Sequence, residues 1–268
     1  MMGINKSNVK GQGLEFSQYR IYEPGDDLRW LDWKMYARSD RYYIRESEVD
    51  TSISVRFLID ASNSMNHADS GFRKIDYAKY LAASLAYLAN SQGDSIGLYV
   101  FKEAGVFALP SKKDTQHLKR FYHQLESIQP SGKFTEADSY KQMLTGNKQR
   151  ELIIVITDFY EEQNEIITLL NSLSTYKNEI IVLHLMGENE LQINYDGYTF
   201  LEDLETGQKI NLANTANKKH YEERLQQHLT VIKKQLINKG ITYNLMNTKL
   251  PIDKALKDFL NQRNKLTR

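Results

Sequence analysis

Two short runs constrain this chain most. Leu152–Thr157 is an unbroken, β-branched apolar stretch that stops at Asp158, and Ser54–Ile59 is a second strand-like run that stops at Asp60. A short apolar run of this kind suits a strand buried on both faces, which is the habit of parallel sheets. Parallel strands need crossover helices, and helical patterns fall between the candidate strands. Over Phe72–Gln92, residues Ile75, Ala78, Leu81, Ala82, Leu85, Leu88 and Ala89 repeat with the 3.6-residue period. Asp114 is placed to cap a helix running to about Ser127. Further helices are expected over roughly Glu161–Leu173, Tyr221–Asn238 and Pro251–Gln262, with a short one over Glu136–Leu144. Ser95–Phe101, Glu179–Leu185 and Ile241–Met246 read as strands. Gly105–Leu109 reads as a short antiparallel edge, and Tyr198–Leu204 with Gln208–Leu212 as a hairpin closed by Glu205, Thr206 and Gly207. The pattern predicts an α/β fold with a mostly parallel central sheet and helices on both faces.

Composition removes several functions. With 268 residues and 41% hydrophobic content the chain can bury a full core without staples. Lys and Arg total 35 against 34 for Asp and Glu, so bulk charge gives no reason to expect nucleic acid or an anionic membrane as partner. There is no cysteine, which excludes disulfides, thiolate metal sites and cysteine nucleophiles. The start, MMGINKSNVKGQG, lacks the apolar core of a signal peptide, and the longest apolar runs are too short to cross a bilayer. A soluble, cytoplasmic protein without membrane insertion is expected. No G-x-x-x-x-G-K-[ST] loop and no G-x-S-x-G elbow is present. The six histidines show no metal spacing, and His184 is expected as a packed strand residue.

The sharper signal sits at the ends of the two strands. Asp60, Ser62 and Ser64 alternate in a D-x-S-x-S loop, Asp158 closes the second strand, and Thr135 lies in a loop between them. These are hard oxygen donors, suited to Mg2+, with Mn2+ or Ca2+ as alternatives, and unsuited to zinc. Ligands of open α/β sheets sit outside the carboxyl ends of the strands, where these residues fall. Turn and cap roles are the competing explanation for each. For Thr135 in particular, an N-cap role stays open, and Ser131 or Ser139 could take its place.

Together these residues resemble the metal-ion-dependent adhesion site of von Willebrand factor A domains. The resemblance implies Ser62, Ser64 and Thr135 as metal ligands, with Asp60 and Asp158 direct or water-linked. It also implies one coordination position left for a partner's Asp or Glu.

Residues 1–50 read as a separate, β-rich, aromatic arm of two or three strands packed on a main domain of residues 51–268. Pro24-Gly25-Asp26-Asp27 is turn chemistry. The arm serves either as a structural lead-in or as a partner surface built on Trp, Tyr and Arg. Glu15, Phe16, Arg20, Tyr22, Pro24, Gly25, Asp26, Asp27, Arg29, Asp32, Trp33, Lys34, Ala37 and Arg38 fit the lead-in of the bacterial domain-of-unknown-function family fifty-eight. Many members of that family are expected to carry a longer amino-terminal extension than the one read here, and many have glycine within D-x-S-x-S where this chain has Asn63. That resemblance implies a non-catalytic interaction module accompanying a MoxR-type AAA+ ATPase. A magnesium-dependent nuclease or phosphatase, and a metal-free interaction domain, are the alternatives.

Overall fold

In the computed structural model the two apolar runs are neighbouring parallel strands in the middle of a six-stranded sheet. The structure describes residues 10–11, 15–48, 52–69, 71–134, 151–161, 164–174, 178–192, 200–202, 209–211 and 215–266. Contacts divide the chain into two units, Met1–Ser52 and Ile53–Arg268.

The first unit is a three-stranded antiparallel sheet of β1 (Lys10–Gly11), β2 (Glu15–Ile21) and β3 (Tyr43–Glu48), in the order β1-β3-β2. The segment joining β2 to β3 explains the motif residues. Asp26 N–H closes a turn on the Glu23 carbonyl at 3.0 Å, with Gly25 at φ 112°. Arg20 then grips both carboxylate oxygens of Asp26, at 2.9 and 2.8 Å. Asp32 accepts from the N–H groups of Lys34 and Met35 and so starts α1 (Trp33–Ser39), while Tyr36 stacks on Tyr42 with centroids 4.5 Å apart. The strands match the sequence expectation; the helix does not. A capping carboxylate satisfies two of the orphan N–H groups of a seven-residue helix, whose apolar period is too short to stand out among dense aromatics.

The second unit runs β4 (Ser54–Asp60), a short β5–β6 pair (Ala68–Asp69, Phe72–Arg73), α2 (Lys74–Ser91), β7 (Ser95–Lys102), β8 (Gly105–Lys112), α3 (Thr115–Glu126), β9 (Glu151–Thr157), α4 (Glu165–Leu173), β10 (Glu179–Met186) and α5 (Glu188–Leu191). Then come a β11–β12 hairpin pair (Phe200–Glu202, Lys209–Asn211), α6 (Thr215–Ile237), β13 (Thr242–Asn247) and α7 (Ile252–Leu266). The sheet order is β13-β10-β9-β4-β7-β8, all parallel except β8 at the edge. This is the mostly parallel α/β sheet with helices on both faces that the sequence predicts.

Alternation along the central strands splits the core in two. Val55, Phe57 and Ile59 meet Ile75, Ala78, Leu81 and Leu85 of α2, with Phe121 and Leu125 of α3 and Phe259 of α7. Leu58, Ile153 and Val155 face the other way, onto Ile166, Leu169 and Leu170 of α4 and Ile232 and Leu236 of α6. Each fully buried large side chain contributes about 1.5–3 kcal/mol of transfer free energy.

The edge strand is longer than expected, reaching Lys112 through Pro110, and an edge is where a strand tolerates proline. Helix α4 starts at Glu165 rather than Glu161, because Asn164 holds a left-handed φ of 59°. The expected helix over Glu136–Leu144 and the turn Glu205–Gly207 lie outside the described residues. Among the described residues no helix is long and apolar enough to cross a membrane.

Candidate metal centre

From β4 the chain runs to β7 on one side, and it returns later to β9 on the other. Helices α2 and α4 leave these strands on opposite faces, which opens a crevice at their carboxyl ends. Asp60 ends β4 and Asp158 follows β9, so the switch in strand order brings both aspartates to that crevice.

Hydrogen bonds fix each group. Asp60 accepts from the Ser62 N–H at 2.9 Å with Oδ1 and from the Thr157 hydroxyl at 2.7 Å with Oδ2. Thr157 Oγ1 in turn accepts from the N–H of Phe159 at 3.1 Å. Ser62 Oγ lies 3.0 Å from Ser64 Oγ, and Ser64 donates to Asp158 Oδ1 at 3.1 Å. Asp60, Ser62, Ser64 and Asp158 are all buried.

A neighbouring loop is tied to the serine loop. Asn63 N–H donates to the Gly132 carbonyl at 2.7 Å, Ser131 N–H donates to the Ala61 carbonyl at 2.9 Å, and Phe134 stacks on Phe101 at 5.2 Å. Gly132 has a φ of 64°, and a Cβ there would meet Glu103 Oε2 at 1.9 Å. Thr135 follows Phe134 directly in sequence and lies outside the described residues, as does Ser139. Ser131 is exposed.

Their surroundings shift the two carboxylates in opposite directions. Burial, with the negative charge of Asp158, pushes the Asp60 carboxyl up to about 7. Burial also works against ionised Asp158, but the Lys74 ammonium overrides it, and the Tyr160 N–H and Ser64 hydroxyl help to hold this carboxyl below its ordinary range. Lys74 Nζ sits 2.9 Å from Asp158 Oδ2 and 2.7 Å from Glu190 Oε1. Burial would lower the Lys74 pKa, yet the two carboxylates raise it. Glu190 Oε2 accepts from the Gly187 N–H at 2.7 Å. His184 on β10 donates from Nε2 to the Asp158 carbonyl at 3.0 Å and accepts at Nδ1 from the Tyr243 hydroxyl at 2.8 Å, as a packed strand histidine should.

The donor set fits a magnesium-sized ion. Magnesium–oxygen bonds of about 2.0–2.1 Å in an octahedron put neighbouring ligand oxygens about 2.9 Å apart. The Ser62–Ser64 and Ser64–Asp158 oxygen pairs stand at 3.0 and 3.1 Å. Ser62, Ser64 and one oxygen of Asp158 could hold such an ion, with Asp60 behind the serine loop. Among the described residues no group of three His, Cys, Asp or Glu side chains has the arrangement of a metal site, so the hydroxyls are the distinctive donors here.

Residues 18–231 match the family described as "Protein of unknown function DUF58". The chain belongs to that family. A curated protein similar to this DUF58 chain, "Uncharacterized protein Rv1480" of Mycobacterium tuberculosis, is 22% identical over 202 residues, 74% of this chain and 63% of that protein. The chain thus spans less than two thirds of the curated relatives it matches. Among solved structures, the conserved hypothetical protein BatB from Bacteroides thetaiotaomicron aligns with a TM-score of 0.50 at 20% identity, over 80% of this chain and 100% of that one. An aerotolerance-related membrane protein from Bacteroides fragilis aligns with a TM-score of 0.51 at 21% identity, with the same coverage. These likenesses establish that the DUF58 chain shares their fold.

Sequence reasoning missed Lys74, Thr157 and Glu190. Lys74 carried a signal: a lysine in the first turn of a helix opposes the helix dipole, so it needs a partner outside the helix. Thr157 was visible only as a hydroxyl at the end of an apolar run, and Glu190 gave no local sign.

Proposed function

We propose that this chain is a non-catalytic, divalent-metal-dependent protein-interaction module. The observation that carries this reading is the convergence of the Ser62, Ser64 and Asp158 oxygens from two strand ends into one buried cluster. A bound ion there would supply Lewis acidity to an Asp or Glu carboxylate of a partner protein. Ser62 and Ser64 would hold it through neutral hydroxyls, with Thr135 as the further donor that the family resemblance implies. Asp60 would orient the serine loop through the Ser62 N–H. The resemblance of the amino-terminal lead-in adds a MoxR-type AAA+ ATPase as the machine this module would serve.

The hydrolase alternative finds little support in the side chains near the site. Burial pushes the Glu161 carboxyl up to about 7, as would suit a base, but that carboxylate accepts from the Ile166 N–H at the start of α4 and is committed to the helix. The test is binding of the full chain to the purified AAA+ ATPase in magnesium and in EDTA, beside Ser62→Ala. Equal binding in all three would defeat the metal-dependent reading. Metal-dependent phosphoester turnover, lost in Asp60→Ala, would replace it with the hydrolase.

A further inference from the structure

The unusual group beside the site is Lys74. Its ammonium is buried, and it stands in the first turn of α2, where the helix dipole disfavours a cation. Burial of a charge and a wrong-signed dipole both oppose this placement, and two carboxylates compensate for them. They belong to different elements: Asp158 follows β9, while Glu190 is on α5 after β10. Asp158 is divided between its two oxygens. Its Oδ2 accepts from Lys74, and its Oδ1 accepts from the Ser64 hydroxyl and the Tyr160 N–H.

We infer that Lys74 is a positioning residue that acts as a built-in counter-cation, holding Asp158 by one oxygen and weakening the site's grip on a divalent ion until a partner carboxylate adds its own charge. This rests on the metal-dependent reading above and deepens it. A divalent ion beside Asp158 meets a carboxylate whose charge is already shared with a fixed ammonium. Ser62 and Ser64, the other donors that would touch the ion, are neutral, and Asp60 stands behind them with its oxygens held by the Ser62 N–H and the Thr157 hydroxyl. Such a site is short of negative charge by design, and an Asp or Glu from outside supplies what is missing. Glu190 sets the balance. Its carboxylate draws on the same ammonium from the other side and leaves Asp158 freer than it would otherwise be.

A purely structural role for the Lys74 bridge predicts that any break in it loosens the site. The counter-cation role predicts opposite signs for its two ends. The test is Mn2+ affinity of the full chain, measured by calorimetry without any partner, for the parent, Lys74→Met, Lys74→Arg and Glu190→Gln. Lys74→Met should bind Mn2+ roughly tenfold tighter or more, the effect of removing one unit charge a few ångströms away. Glu190→Gln should bind several-fold weaker, and Lys74→Arg should stay near the parent. If the parent binds Mn2+ and a cooperatively folded Lys74→Met binds no tighter, Lys74 is a structural bridge and the inference is overturned while the metal site stands. If Lys74→Met does not fold, Lys74→Gln takes its place: tighter Mn2+ binding supports the inference, and unchanged or weaker binding ends it. Silence from every variant at millimolar Mn2+ overturns the metal reading and this inference with it.

Discussion

His184 Nε2 lies 3.0 Å from the backbone carbonyl of Asp158, so a neutral imidazole on β10 holds the turn that carries one carboxylate of the candidate site. A carbonyl only accepts, so Nε2 keeps its proton and Nδ1 accepts from Tyr243. Burial holds this histidine down to about 4, against an ordinary value of 6.5. The stability that the neutral ring contributes is present above pH 6.5 and is lost as pH falls from there towards 4, because the unfolded chain takes up the proton first. The full effect is about 3 kcal/mol. The difference in urea midpoint between the parent and His184→Gln should therefore shift against the parent as pH falls from 6.5 towards 4. A difference that stays constant across this range would show that His184 does not carry the titration.

Asp60 predicts the opposite slope. Its folded pKa is raised to about 7 from 3.8, so the protonated form's contribution is complete below 3.8 and lost as pH rises through about 7. In EDTA at mildly alkaline pH, Asp60→Asn should therefore melt above the parent, and near pH 4 the two should converge. The same variant should lose any response to magnesium. A variant that melts lower at alkaline pH would show that hydrogen bonding outweighs the cost of the buried charge.

Metal addition should stabilise the folded chain. An ion that binds only the native state contributes about 2.7 kcal/mol at a hundred times its dissociation constant. In a chain of this size that raises the melting temperature by about 2–4 °C per kcal/mol. Ser62→Ala and Ser64→Ala should each lose most of that rise. Equal rises in parent and variants would place the ion elsewhere.

Gly132 supports the site from a distance. Its φ of 64° and the contact a Cβ would make with Glu103 give Gly132→Ala two separate penalties. Together they should cost more than the roughly 1 kcal/mol that a backbone misfit alone brings. Adding Glu103→Ala should recover only some of the contact part, because the Glu103 Cβ itself would stand 2.6 Å from the new Cβ, and should leave the backbone part. A denaturant series on the single and double variants reads this directly.

The sheet was legible because buried strands leave unbroken apolar runs and their ends were marked by Asp60 and Asp158. Helix α2 was legible because Ile75, Ala78, Leu81 and Leu85 keep a period over about three turns. What escaped was set by contacts that sequence does not order. Helix α1 depends on the Asp32 carboxylate meeting two N–H groups, and α4 starts late because Asn164 turns left-handed. At the site, the donors were readable one loop at a time. The supporting bonds from Thr157 to Asp60 and from Lys74 to Asp158 and Glu190 join separate elements, and no local pattern announces them.

Strand order also sets a timetable. Ser64 and Asp158 are 94 residues apart, and they meet only because β4 and β9 pair in the centre of the sheet. Closing so long a loop is entropically slow, and parallel pairing of this kind belongs to high-contact-order folding. The candidate donors therefore come together only after the central pairing has formed. An ion held by both should slow the unfolding rate while leaving the refolding rate nearly unchanged, the mark of an interaction absent from the transition state. Stopped-flow traces with and without magnesium should show that asymmetry, which would make the occupied site a kinetic latch on the centre of the sheet.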